Sequence, residues 1–340
     1  MERKETEIAE VIRTEKTRKI FVTRKIPEEG IELLREYFVV EVNPDDRELT
    51  REELLNGVKG KDGVLCMLSD VIDAEVIQTA GTQCKVFANY AVGYNNIDIK
   101  KATELGIAIT NTPDVLSNAT ADLAWALLFA AARRVVESDE YTRAGKFKGW
   151  DPIRLLGMDI TGKTLGVIGT GRIGGNFARK ANAFDMKVLY NKKNRDLDFE
   201  NDTGALFTDF NELLAESDFV SLHVPLTEKT RHLIGEKELN IMKKTAILIN
   251  TSRGPVVDEK ALVKALKERT IWAAGLDVYE NEPEIEADLL GLDNVVLTPH
   301  IASGTYETRI KMALLSANSI VSVLNGETPK NCLNPEVINM

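Results

Sequence analysis

The chain has 340 residues, 44% of them hydrophobic, with a net charge of −10 and three cysteines. That length suits two domains, each able to bury a core, and the acidic balance argues against nucleic acid or an anionic membrane as the main partner. The longest apolar run, LAWALLFAAA, falls well short of a membrane span. The N-terminal charges lead into no secretory apolar core, and Cys66, Cys84 and Cys332 have no metal-site spacing, so a cytoplasmic protein with reduced thiols and no metal is expected.

Residues 1–18, dense in Glu, Lys and Arg, read as a charged N-terminal extension, either a frayed helix or disordered. From Lys19, strand and helix patterns alternate: KIFVTR, IELLREYF, VVEV, a helix around Glu52 to Gly57, GVLCML, DAEVIQTA and KVFANY. This is a first βα-alternating unit, taken as residues 19–112. Ala121 to Arg134 predicts a helix that is apolar nearly all round, hence buried or at an interface. A second βα-alternating domain, taken as 113–302, has its strands between Thr164 and Leu297. A last long helix, roughly Thr305 to Leu324, lies in the segment 303–340.

Within the second domain, LGVIGTGRIGGNFARKA reads as a strand (Leu165 to Ile168), a turn over Gly169, Thr170, Gly171, Arg172, Ile173 and Gly174, and a helix from Ile173 to Ala183. The glycines permit a tight turn and close backbone approach to a pyrophosphate, and the helix N-terminus offers unpaired N–H groups. A lone GxGxxG is weak evidence, but strand before and helix after are its required context. The next strand, Lys187 to Tyr190, ends at Asn191, where an NAD-selective site usually has an acidic residue. Lys192, Lys193 and Arg195 follow. The absence of a carboxylate and the presence of cations favour NADP(H) over NAD(H); a solvated basic turn is the competing reading.

Downstream, Arg253, Glu282 and His300 each follow a short hydrophobic run, in AILINTSRG, AAGLDVYENEP and NVVLTPHIAS. A guanidinium holds a carboxylate with two parallel hydrogen bonds. An imidazole protonates a carbonyl oxygen, and a carboxylate orients it and favours its charged form. Of the other two histidines, His223 ends a strand and either lines the cofactor site or satisfies a backbone carbonyl, and His232 is expected to be solvated. Trp125 reads as core or interface, and Trp150 as a residue able to reach an active site, from a partner subunit.

The motifs VFANYAVGYNNID, TNTPDVLSNATADLAWALLFAAARR, GKTLGVIGTGRIG, SDFVSLHVPLTEKTRHLI, ILINTSRGPVVDEKAL, AGLDVYENEP and LTPHIAS, in this order, make the chain resemble the D-isomer-specific 2-hydroxyacid dehydrogenases, most of all their glyoxylate/hydroxypyruvate reductase branch. The resemblance implies a Rossmann-type doubly wound cofactor domain, a flavodoxin-like substrate domain completed by the C-terminal segment, an active site in the cleft, and a homodimer. It implies that Arg253, Glu282 (rather than Glu280) and His300 are catalytic. It assigns the keto acid's carboxylate to the backbone N–H groups of Val92 and Gly93, near Leu68, and extends the cofactor site to Thr120, Val224, Pro225, Thr251 and Asp277. The expected activity is NAD(P)H-dependent reduction of a small 2-keto acid to the D-2-hydroxy acid. Rival readings are a phosphoglycerate dehydrogenase, a formate dehydrogenase, which places Gln where Glu282 stands, and a nucleotide-sensing corepressor. The short stretch after the last predicted helix disfavours the first and the third.

Overall fold

The computed structural model describes residues 16–338, so the expectation for residues 1–18 lies, as far as residue 15, outside the described residues. The chain forms two compact units, one running to Leu116 and resuming at Thr305, the other spanning Ser117–Gly304.

The first unit is a parallel sheet of β1 (Lys19–Val22), β2 (Val39–Val42), β3 (Gly63–Cys66), β4 (Val86–Asn89) and β5 (Ala108–Thr110), in the order β2-β1-β3-β4-β5. This is the flavodoxin-like order. The strands β3 and β4 are wholly buried, and they read as continuous apolar runs because helices cover both faces of a parallel sheet. The terminal helix Tyr306–Leu324 belongs to this unit and packs on Glu28–Tyr37. Gly30 makes the approach possible: a Cβ there would lie 2.8 Å from the Cβ of Ala313.

The second unit is a seven-stranded parallel sheet of β6 (Thr164–Ile168), β7 (Lys187–Asn191), β8 (Leu206–Phe207), β9 (Phe219–Leu222), β10 (Ile247–Asn250), β11 (Ala273–Leu276) and β12 (Val295–Leu297). Its order, β12-β11-β10-β9-β6-β7-β8, is doubly wound, with the direction of winding reversing between β6 and β9, the place where such sheets bind ligands. The expected Rossmann-type and flavodoxin-like pair is therefore the observed fold.

The apolar helix covers Ser117–Ala132 and packs across this sheet, with Trp125 buried and its indole N–H donating to Phe177 O at 3.0 Å. It starts before the expected Ala121 and ends at Ala132, two residues short of the expected Arg134. Ala132 O accepts from Met158 N at 2.8 Å, Arg134 turns left-handed at φ 52°, and a new helix runs from Val135 to Arg143. The helix after the glycine turn is likewise shorter, Arg172–Lys180, and passes into a 3₁₀ turn over Ala181–Phe184. No helix among the described residues is long and apolar enough to cross a membrane.

Candidate active site

Three neighbouring strands of the second unit, β10, β11 and β12, end on the residues singled out by chemistry. After β10, Asn250 builds a turn of its own: its Oδ1 accepts from Ser252 N at 3.0 Å and from Ser252 Oγ at 2.7 Å, and its Nδ2 donates to Arg253 O at 3.0 Å. Such side-chain turns at a strand end are typical of asparagine, and here the turn presents Arg253 in extended backbone. The next residue, Gly254, touches the loop after β11 so closely that a Cβ would sit 1.7 Å from Tyr279 O. The Arg253 turn and the Glu282 loop are thus in direct backbone contact. Burial pulls the Arg253 guanidinium below its ordinary value, and the charge of Glu282 opposes that shift.

Glu282 bridges its own loop and the next strand end. Its Oε1 accepts from Tyr279 N at 2.9 Å and its Oε2 pairs with His300 Nδ1 at 2.8 Å. Burial raises the Glu282 carboxyl, but the hydrogen bond and charge of His300, with Arg253 beyond, bring it below the usual glutamate value. Ionised Glu282 accepts the Nδ1 proton, which leaves Nε2 as the ring nitrogen available to a reacting oxygen.

His300 stands in left-handed backbone at φ 52°, a conformation costing a non-glycine residue roughly 1–2 kcal/mol. The contacts that hold it there come from Asp277, which is fully buried. Asp277 Oδ1 accepts from Thr298 Oγ1 at 2.6 Å and Ile301 N at 2.8 Å, and Oδ2 from Ala302 N at 2.8 Å. Burial raises this carboxyl despite those donors. Expected at the cofactor, Asp277 has both oxygens committed to the loop that carries His300.

The glycine turn has the geometry its motif implies. Gly169 lies at φ 91°, and a Cβ at Gly174 would meet Gly169 O at 2.0 Å. A Cβ at Gly171 would meet nothing within 4 Å. Gly171 caps the helix Arg172–Lys180, which Ile173 continues, and glycine has no side chain to offer as a cap. The buried hydroxyls of Thr170 and Thr251 lack partners. An open cradle at Gly171 and two orphan hydroxyls on one sheet edge fit a dinucleotide. Thr120 is buried in the apolar helix, and Val224 and Pro225 follow β9, with Val224 Cγ1 2.9 Å from where a Gly169 Cβ would be. His223 pairs with Ser221 Oγ at 2.9 Å, and burial holds its imidazole neutral, down to about 3.

At the end of β7, Asn191 donates to Thr208 O at 2.8 Å. Two of the cations that follow are shared: Lys192 pairs with Asp196 at 2.9 Å and Arg195 with Glu200 at 2.8 Å. Lys193 is exposed.

In the first unit, Val92 and Gly93 follow β4. Ala91 O accepts from Thr112 N at 2.9 Å and Val92 O from Asn111 Nδ2 at 2.8 Å. In a trans peptide the N–H points opposite to the C=O. The N–H of Val92 is therefore turned away from Thr112, and that of Gly93 from Asn111. Leu68 is half-buried after β3, in a turn strapped by Asp70, whose Oδ2 accepts from Met67 N at 2.7 Å.

Two residues escaped the sequence reading. His232, expected to be solvated, pairs through Nε2 with Glu280 Oε1 at 2.6 Å. The structure thus separates the two acids of the ENEP stretch: Glu282 reaches His300 and Glu280 reaches His232. No local sequence signal announces this pairing, because its members come from different loops.

Residues 125–302 match the family model "D-isomer specific 2-hydroxyacid dehydrogenase, NAD binding domain". The chain is 53% identical over 326 residues to the glyoxylate reductase of Thermococcus onnurineus, covering 95% of this chain and 97% of that protein. A Thermus thermophilus crystal structure superposes with a TM-score of 0.88 at 44% identity, covering 93% and 99% of the two chains. The NADPH-dependent glyoxylate/hydroxypyruvate reductase of Sinorhizobium meliloti, solved with NADP and malonate, gives 0.82 at 29% identity, covering 94% and 97%.

Proposed function

The chain belongs to the D-isomer specific 2-hydroxyacid dehydrogenase family, and from that premise we propose that it reduces small 2-keto acids of the glyoxylate and hydroxypyruvate type to D-2-hydroxy acids. The observation that carries this reading is the His300–Glu282 pair at 2.8 Å, formed between the loops after β12 and β11, with β11 next to β10, whose end presents Arg253. When bound, the nicotinamide supplies the hydride. Arg253 holds the substrate carboxylate. His300 gives the Nε2 proton to the carbonyl oxygen as charge develops there, and Glu282 stabilises the imidazolium before transfer. Gly169, Gly171, Arg172, Ile173 and Gly174 would hold the pyrophosphate, with Thr170 and Thr251 close by. A panel of glyoxylate, hydroxypyruvate, pyruvate, phenylpyruvate and 2-ketogluconate, run with both cofactors, tests the substrate class; inactivity on all five would sink it.

The role of Glu282 has a pH signature. The hydrogen bond and charge of His300 hold Glu282 below its usual value, and by the same coupling Glu282→Gln should move the alkaline limb of the reduction profile to lower pH. An unmoved limb would mean that Glu282 does not act on the proton of His300.

For the cofactor we favour NADP(H), used in preference to NAD(H) or comparably with it. Asn191 offers a 2′-phosphate no repulsion, Lys193 is exposed, and Lys192 and Arg195 are within reach of exchange from Asp196 and Glu200. Such cations favour a 2′-phosphate by roughly 1–3 kcal/mol, less the strength of the ion pairs given up. Asn191→Asp with Lys192→Ser and Lys193→Ser should shift the ratio of specificity constants toward NADH, and high salt should shrink the wild-type preference. A strong wild-type preference for NADH would make the run a surface turn.

We further propose a cytoplasmic homodimer. Val135, Val136, Phe147, Trp150, Ile153 and Leu156 are all exposed, Trp150 at 86%, and a second copy is the partner that would cover such a stretch in a family enzyme.

A further inference from the structure

A second imidazole–carboxylate pair stands two residues from Glu282. His232 Nε2 and Glu280 Oε1 are 2.6 Å apart, with side-chain exposures of 41% and 19%. Glu280 is engaged on both oxygens: Oε2 accepts from Glu259 N at 3.3 Å, and in return Glu280 N donates to Glu259 Oε1 at 2.7 Å. Arg231 adds a looser contact at 3.7 Å. Glu259 is buried, and Glu280 and Glu286 repel its charge. Arg231 is a cation facing this acidic cluster, and His232 meets it through Nε2.

The backbone of His232 belongs to a different partner. His232 N donates to Pro255 O at 2.8 Å and Ile234 N to Val256 O at 3.1 Å, so residues 232–234 run beside the turn that starts at Arg253. His232 adopts φ 49°, left-handed backbone that a non-glycine residue keeps only where surrounding contacts over-determine it. Its main chain is tied to the Arg253 turn and its side chain to the Glu282 loop. Those two segments already touch at Gly254 and Tyr279 O. Tyr279 N in turn holds Glu282 Oε1 at 2.9 Å.

We propose that His232 is a positioning residue: through Glu280 it locks the Tyr279–Glu282 loop against the Arg253 turn and so sets the placement of Glu282 on His300. The inference rests on the reading of Arg253, Glu282 and His300 as the working groups. It differs from a merely stabilising ion pair in its consequence. Loosening the lock changes proton delivery, and leaves the glycine turn after β6 untouched.

The test compares wild type, His232→Ala, Glu280→Ala, the double variant and His232→Gln, whose amide N–H replaces the imidazole donor. Readouts are kcat and KM for the keto acid, KM for the reduced cofactor, thermal midpoint and the alkaline limb of the pH–rate profile. Each alanine variant should lose about tenfold in kcat, with KM for cofactor within about twofold. The alkaline limb should move to lower pH, as Glu282 is held less well on His300. The double variant should be no worse than either single, and His232→Gln should recover most of the turnover. A drop in thermal midpoint with kcat and pH profile unchanged would overturn the proposal, as would losses that multiply in the double variant. Failure of the underlying functional reading shows separately, as a wild type that reduces no keto acid.

Discussion

Replacing His300 with alanine should lower the turnover number for keto-acid reduction by on the order of 10²-fold or more, because the carbonyl oxygen loses its positioned proton donor. The geometry makes the loss specific. Nδ1 of His300 is occupied by Glu282 at 2.8 Å, so Nε2 is the nitrogen that addresses substrate, and no other histidine substitutes for it. His223 is half-buried, neutral and bonded to Ser221, and His232 is bonded to Glu280. Cofactor binding should survive the change, since the glycine turn lies at the other side of the sheet's switch point, after β6. Turnover near wild type in this variant would remove His300 from the chemistry.

Arg253→Lys should raise KM and lower turnover together, cutting kcat/KM by on the order of 10²-fold. Charge is retained but the planar, two-pronged donor is lost, and a hydrogen bond to a charged group is worth roughly 1.5–3 kcal/mol. Lysine also faces a site whose burial already works against the positive charge of Arg253, and an ammonium gives up its proton there more readily than a guanidinium. A kinetically silent Arg253→Lys would leave Arg253 a structural residue.

The parts of the molecule that were legible in the sequence are those whose cause is local. The strand–glycine turn–helix at Leu165–Lys180 announces itself because the steric need for glycine at Gly169 and Gly174 is met within the turn. Arg253, Glu282 and His300 stood out because parallel strands read as apolar runs and their carboxyl ends are where such sheets place chemistry. What was not legible depends on distant partners. The long helix ends before Arg134 because Ala132 O is taken by Met158 N. That Asp277 holds the His300 loop was not legible, because the three donors that converge on it come from residues 298–302. The His232–Glu280 pair joins two loops far apart in the chain.

The most direct test of the account is the product formed from hydroxypyruvate by the wild-type enzyme with reduced nicotinamide cofactor. One D-2-hydroxy acid molecule for each cofactor oxidised, at a rate on the order of 10²-fold lower with His300→Ala, is the expected result. An L-hydroxy acid, or no cofactor oxidation with hydroxypyruvate or glyoxylate, would contradict it.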